Sequence, residues 1–560
     1  VPQNLDISQA IASRFGYSSL TSRILAARGF VPDTISSFMV PTLKHGLPSV
    51  TALRGIKDAG NLIHEAVSKR EVIALCSDFD VDGLTGSAQL LSFFEEIGVS
   101  VFALVPNRFT EGYGLNSRII DEAHRRGASL LIAIDYGTKN RSELERARAC
   151  GLKSIVIDHH HVGDEDLDLP CEAFINPQHP ECRFAEGLLS ASGLCWYLIA
   201  YLRSVLPAAN SVDPRQYLDL SALGTICDMV PLIGVNRVLA KRGLEVLSES
   251  TRPGIIALKE VLGLKRAVRC HDVGFGLGPR INAAGRLSSG EVVLQLLSAK
   301  TLSEARPLAK RLSSLNEDRQ AVEKEVRAAV LKELNKKQVL PWGIVTWGKE
   351  FHTGVIGIVA QRIAEKFYRP AAVCGLDESG LYKGSVRGIK GINVVKLLQT
   401  LSPFLVKWGG HAGAGGFAIE EGNLMPFATA FANESFTQIG DISGYQPVVE
   451  ADTEGKLNEI TDTCLKELER LAPFGVGNKT PIVLARGLTV VDCRLLKDQH
   501  LKVTLKEGRD VIEGVWWQES RRELLAQGTV VDVAFRLEHN NFMGNDTVQA
   551  NIQAVEQVFL

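Results

Sequence analysis

No stretch of this 560-residue chain approaches the ~20 consecutive apolar residues that span a bilayer, so a membrane-spanning protein is not expected. The start also lacks the basic-then-apolar pattern of a secretory leader. The chain begins at Val1, which leaves room for a removed transit peptide; the bacterial cytoplasm is the expected home, with an organelle as the alternative. The ten cysteines include no C-x-x-C pair and read as reduced thiols rather than a disulfide framework. Cys171, His179 and Cys182 lie close together but match no zinc spacing. A net charge of −2 gives no global attraction for nucleic acid. Positive charge is local instead: residues 265–337 hold 15 Lys and Arg against 8 Asp and Glu.

What is present is an ordinary globular composition, 45% hydrophobic and 22% charged, in a chain too long for one core. Residues 1–70 read as an N-terminal helical segment. From 71 to 302, short apolar runs (Val72–Leu75, Ser100–Val105, Leu130–Ile134, Ser154–Ile157) alternate with helical stretches near Ser87–Ile97, Ser117–Arg126 and Arg141–Cys150, the rhythm of a doubly wound α/β sheet. Residues 303–340 contain no Gly before Lys337, one early Pro, and apolar residues at three-, four- and seven-residue steps. They predict one long helix bridging two domains. A second α/β domain is expected over 341–445 and a small β-barrel over 446–560.

The chemistry gathers at the ends of the apolar runs. Asp78-Phe79-Asp80-Val81-Asp82-Gly83 follows the first, Asp135-Tyr136-Gly137 the third and Asp158-His159-His160-His161 the fourth; Asp228 stands further on. Strand ends of an open α/β sheet converge on one crevice. Hard oxygen donors with a few imidazoles suit Mn²⁺ or Mg²⁺, and two such ions can clamp the attacking and leaving oxygens of a phosphodiester. Any single Asp here can equally be a helix N-cap. Arg108, Arg280, Ser385, Arg387 and His411 are candidates for substrate phosphate, Arg because its fork matches phosphate oxygens. Gly384–Gly388 and Gly409–Gly416 read either as anion-cradling backbone nests or as structural turns. Phe109, Tyr113 and Tyr382 are candidate stacking surfaces for bases, against the commoner role of aromatics as core.

Together these motifs resemble the DHH/DHHA1 phosphoesterase family. Asn107-Arg108-Phe109 with Gly112-Tyr113-Gly114-Leu115, Gly278-Pro279-Arg280-Ile281-Asn282-Ala283-Ala284-Gly285-Arg286-Leu287 and the GGHxxAGG-like Gly409–Gly416 extend the resemblance over roughly residues 45–560. It implies a DHH domain, a DHHA1 substrate-binding domain and an OB-fold barrel. It also implies a single-strand-specific 5′→3′ DNA exonuclease of repair and recombination, releasing 5′-mononucleotides. The implied metal ligands are Asp80, Asp82, Asp135, His159 and Asp228, with Asp135 bridging, and Asp78 as ligand or as orienter of ligands. His160 is implied at the scissile phosphate, and His161 as a neighbour without chemistry. Asn282 and Arg286 join the substrate-binding set. Implied partners are single-stranded DNA, single-strand binding protein and a RecQ-type helicase, with the enzyme a monomer. Ser77, Tyr136, Leu189–Gly193 and His161 depart from the usual pattern without removing a ligand. The barrel segment is acidic, 18 Asp and Glu against 13 Lys and Arg, so a DNA grip there needs a local patch such as Lys502, Lys506, Arg521 and Arg522; otherwise it is a brace or partner dock. The rival readings are a DHH hydrolase of oligoribonucleotides or cyclic dinucleotides, and a non-catalytic DNA-binding scaffold.

Overall fold

The expected apolar runs form one parallel sheet. In the computed structural model, which describes residues 4–108, 110–184, 187–440, 447–540 and 547–558, these strands are β1 (Val72–Ser77), β2 (Val101–Leu104), β3 (Ala128–Ile134), β4 (Lys153–Ile157) and β5 (Ala173–Ile175). Their order is β2-β1-β3-β4-β5 and every pairing is parallel. Successive strand residues feed opposite faces. Ile73, Leu75, Leu130 and Ile132 join one core, Ala74, Cys76, Leu131 and Ala133 the other. The chain leaves β1 toward β2 and returns on its other side as β3. The switch point therefore falls between the ends of β1 and β3, where Asp78 and Asp135 follow.

The helix after β1 is Val81–Glu96 and starts six residues earlier than expected, because Asp80 caps it: its Oδ1 accepts from the amides of Asp82 (3.0 Å) and Gly83 (3.2 Å). Beyond the sheet, helices Leu218–Cys227, Gly234–Glu249, Pro253–Val261, Gly278–Leu287 and Glu291–Ser298 build a helical core with Leu220, Leu223, Ile281 and Leu296. The long helix is Leu302–Leu334, opened by a Thr301/Glu304 capping box. Ala305 and Leu312 lie in that helical core, whereas Val326, Val330 and Leu334 lie in the core of the following domain. One helix thus belongs to two domains.

The second sheet contains β6 (Ile344–Gly348), β7 (Ala371–Leu376), β8 (Tyr382–Arg387), β9 (Lys407–His411) and β10 (Ala414–Ile419) in the order β6-β7-β8-β10-β9, parallel only between β6 and β7. Here one reading is corrected. The two Gly-rich runs are not anion nests: β8 is paired on both sides, and β9 and β10 form a hairpin, so ladders consume most of their amides. Glycine at 384 serves packing, since a Cβ there would sit 2.1 Å from the Phe417 ring.

The last sheet holds β11 (Thr453–Glu454), β12 (Val483–Leu496), β13 (His500–Glu507), β14 (Asp510–Trp516), β15 (Val530–Asn540) and β16 (Thr547–Gln557). The pairings β12-β13-β14-β16-β15 close back on β12, giving a five-stranded barrel. The N-terminal 70 residues, expected as one segment, divide between two cores. Ile11, Leu20, Ile24 and Ile35 share the barrel core with Leu465, Val483 and Phe535, while Ile56, Ala59 and Ile63 pack on the first sheet. Helix Gly234–Glu249 clasps that N-terminal unit. Arg237 donates to the carbonyls of Phe38 (2.9 Å) and Ala472 (3.0 Å), Lys241 to Met39 (2.7 Å) and Arg242 to Pro41 (2.9 Å). Among the described residues no helix is long and apolar enough to cross a membrane.

Candidate active site

Seven side chains meet at the switch point. The ligand atoms of Asp78, Asp80 and Asp135 lie within 4.8 Å of one another, as do those of Asp82, His159 and Asp228, and those of Asp135, His159 and His160. Asp135 and His159 each belong to two groups. His159 Nε2 is 3.2 Å from Asp135 Oδ1, 3.5 Å from Asp228 Oδ2 and 3.8 Å from Asp82 Oδ2. Backbone geometry is specialised around them. Asp135 is held at φ +66°, a conformation costly for a non-glycine residue, and Tyr113 donates its hydroxyl to the Asp135 carbonyl at 3.0 Å. Gly224 admits Asp82: a Cβ there would fall 2.5 Å from Asp82 Oδ1.

These residues suit divalent cations. Asp78 Oδ1, Asp135 Oδ1 and His159 Nε2 are buried and accept or donate no hydrogen bond among the described residues, an arrangement that costs free energy unless another group answers it. Burial, reinforced by Asp80, pushes Asp82 up to about 7. Burial with Asp82 and Asp80 pushes Asp228 up to about 9. Asp78 and Asp135 rise for the same reasons, burial first and then neighbouring carboxylates. Burial and the charge of His160 press His159 down to about 4, so it offers the neutral imidazole that binds metal. Five carboxylates and one imidazole are a hard donor set of the Mn²⁺ and Mg²⁺ kind.

Asp158, unassigned from the sequence, is not one of the cluster's ligand groups. Its Oδ1 receives the amides of His159 (2.8 Å) and His160 (3.2 Å) and lies 2.7 Å from His160 Nδ1; its Oδ2 receives the Thr138 amide at 3.0 Å. Burial would raise this carboxyl, but the His160 hydrogen bond and charge hold it well below the usual range. In return Asp158 outweighs the burial of His160 and raises its pKa. His160 is therefore oriented as a cationic donor facing the cluster.

Across from the carboxylates stand four arginines. Arg108 stacks on the Phe79 ring at 5.2 Å and feels Asp78 and Asp80. Arg286 donates to the Gly354 carbonyl of the second α/β domain at 3.1 Å. Arg387 donates to Ser385 Oγ at 2.9 Å. Arg319 on the long helix, missed by the sequence reading, is fixed by Asn316 Oδ1 (3.2 and 3.1 Å) and Glu323 (2.9 Å). Burial together with Arg108, Arg319 and Arg387 presses Arg286 down to about 10. Like charges gathered this closely call for an anion.

Other candidates fall elsewhere. Arg280 donates to Ser313 Oγ (3.3 Å) and the Gly276 carbonyl (3.0 Å), which ties its helix to the long helix. Asn282 is half-buried on helix Gly278–Leu287. His411 is exposed at the end of β9 and accepts the Gly413 amide at 3.2 Å. Tyr382 is 1% exposed and cannot stack on a base. Tyr113 is open to solvent but commits its hydroxyl to Asp135 and its ring edge to His160 at 5.9 Å. Phe109 lies outside the described residues.

A parallel sheet with a carboxylate–imidazole cluster at its switch point, beside an arginine group completed by Arg387 of a second α/β domain, defines a DHH-type phosphoesterase. Residues 72–225 match the DHH family N-terminal domain and residues 339–438 the DHHA1 domain. Residues 451–554 match the RecJ OB domain, and the chain belongs to the RecJ family. It is 34% identical over 533 residues to the single-stranded-DNA-specific exonuclease RecJ of Escherichia coli, covering 90% of each chain. It superposes on the crystal structure of RecJ with Mn²⁺ from Thermus thermophilus with a TM-score of 0.83 at 29% identity, covering 100% of this chain and 79% of that one. The Mg²⁺ complex of the same protein gives 0.77 at 28% identity, covering 100% and 78%.

Proposed function

We propose that this chain is a 5′→3′ exonuclease that hydrolyses single-stranded DNA to 5′-mononucleotides with two Mn²⁺ or Mg²⁺ ions. The observation that carries the reading is one cleft holding orphaned carboxylates on one wall and mutually repelling arginines on the other. Asp78, Asp80 and Asp135 would hold one cation, and Asp82, His159, Asp228 and Asp135 the other. When bound, such ions supply Lewis acidity, neutralising phosphate charge and acidifying water.

The chain's own residues do the rest. Arg108, Arg286, Arg387 and Ser385 grip a terminal 5′-phosphate, setting the register that makes the cut exonucleolytic. Arg319 adds positive field behind them. His160, held by Asp158, points its imidazolium at the scissile phosphate or leaving oxygen. Tyr113 holds the strained Asp135 backbone in place. In the same reading the enzyme is a monomer of the bacterial cytoplasm. It works in repair and recombination beside single-strand binding protein and a RecQ-type helicase.

The test is digestion of end-labelled single strands with Mn²⁺ or Mg²⁺ beside a matched duplex. Early 5′-mononucleotide release with the duplex spared is expected. Cleavage confined to a cyclic dinucleotide, or strand binding without cleavage, would overturn the reading.

A further inference from the structure

Two exposed apolar residues lie on the segments next to the metal cluster. Met229 directly follows Asp228, sits at φ +59° and is 68% exposed. Phe275 is 72% exposed, at the middle of a π-helical turn, Val273–Leu277, that leads into helix Gly278–Leu287. Its ring stacks on His271 at 4.8 Å and 27°. Two facts bring these residues together. A Cβ on Gly278 would lie 2.5 Å from Cys227 Sγ, one residue before Asp228, so the helix begins against the metal cluster; eight residues on, it carries Arg286 in the arginine group. The barrel loop closes the other side: Leu232 donates to the Val476 carbonyl at 2.7 Å, and Ile233 and Val476 are both partly exposed. π-turns and exposed strained residues concentrate at working sites.

We propose that Phe275, backed by His271 and flanked by Met229, is a stacking platform for an unpaired base of the strand beyond the scissile phosphate. This inference rests on the proposed nuclease reading and deepens it. The helix Gly278–Leu287 is about 15 Å long at 1.5 Å per residue, so one rigid element sets the spacing between phosphate pocket and platform. A flat exposed ring accepts any base face, which gives grip without sequence preference. Lys265 and Arg269, exposed just before the π-turn, supply the charge a phosphate backbone needs. A duplex keeps its bases paired and inward, so the platform also favours single strands.

The experiment is an abasic scan. A series of 5′-phosphorylated oligothymidylates, each with one abasic position, is digested by the wild type, by Phe275→Ala and by Phe275→Trp. The wild type should show a KM raised about ten-fold at one or two adjacent positions and little change elsewhere, the size of one stacked base. Phe275→Ala should have a raised KM on the intact strand and no further loss at those positions; Phe275→Trp should restore both. A flat scan in the wild type, or an alanine variant that keeps the position-specific loss, overturns the platform. No cleavage of any strand by the wild type would instead overturn the nuclease reading beneath it.

Discussion

Two sets of buried cations in this molecule are answered differently. On helix Gly234–Glu249, Arg237, Lys241 and Arg242 end on backbone carbonyls of the N-terminal helices and the barrel segment. In the cleft, burial and then neighbouring arginines depress Arg286 (Arg108, Arg319 and Arg387) and Arg387 (Arg108), and the one carboxylate offsetting this at Arg286 is Asp80. The carboxylates divide the same way. Asp219 is buried but receives Ser250 at 2.8 Å and Arg252 at 3.3 Å, whereas Asp135 Oδ1 receives nothing among the described residues. Charges that hold the fold find partners within the chain. Charges in the cleft keep like charges as near neighbours besides the partners that orient them, and the free energy so stored is released when the ligand arrives.

The sharpest test acts on the acidic wall. Asp135→Asn should cut strand cleavage by about 10³-fold or more, as loss of a ligand common to two groups requires. In chelator, the same variant should melt at a higher temperature than the wild type, because one of several crowded charges is gone. A lower melting temperature in chelator would break the comparison.

On the basic wall, Arg387→Ala should lower kcat/KM for a 5′-phosphorylated strand by about 10–100-fold, the worth of one charge-assisted hydrogen-bond pair. The loss should be several-fold smaller on a 5′-hydroxyl strand; equal losses on the two would detach Arg387 from the terminal phosphate.

Smaller still is the effect of pH on the metal-free protein. The folded-state pKa values of Asp82 and Asp228 are raised, to about 7 and about 9. Their protonated forms therefore add stability that is fully present below the ordinary carboxylate pKa. That stability is lost as pH rises through 7 and then 9. Melting temperature in chelator should fall by several degrees between pH 6 and 9, and saturating Mn²⁺ should flatten the slope. A metal-free profile that is flat would mean the carboxylates are answered after all.

The sequence was most legible where one physical rule dominates. Runs such as Leu130–Ile134 read as buried parallel strands because both faces are covered, and the carboxylates after them fell at the switch point. The cluster residues Asp78, Asp80, Asp82, Asp135, His159, His160 and Asp228 were all nameable, since motif and strand end coincide. Where long-range packing decides, reading failed. Gly83 and Gly86 hid the first turns of helix Val81–Glu96. They are glycines because Asp78 backbone lies 2.8 Å and Ile134 3.0 Å from where a Cβ would be, not because the helix breaks there. The Gly-rich runs near 384 and 409 imitated loops while being strands. Arg280 and Arg319 show the same limit. Both are basic residues in a cationic stretch, and only the packing shows that Arg280 bonds Ser313 of the long helix while Arg319 lies near enough to Arg286 to press its pKa down.

One substitution made at both sets of cations draws the comparison to its finest point. Methionine fills much of the volume of arginine without its charge. Arg237→Met removes a donor from the half-buried carbonyls of Phe38 and Ala472 while keeping contact with the Phe38 ring, over which Arg237 lies at 3.7 Å. It should cost about 1–3 kcal/mol in denaturant unfolding and leave cleavage per folded molecule within about two-fold. Arg286→Met loses one bond to Gly354 but relieves repulsion from three arginines, so it should cost less stability than Arg237→Met and far more activity. Unfolding midpoints and kcat/KM measured side by side should rank the two variants in opposite orders. If Arg286→Met proves the more destabilising of the pair, the cleft arginines are structural, and the distinction between answered and waiting charges does not hold in this protein.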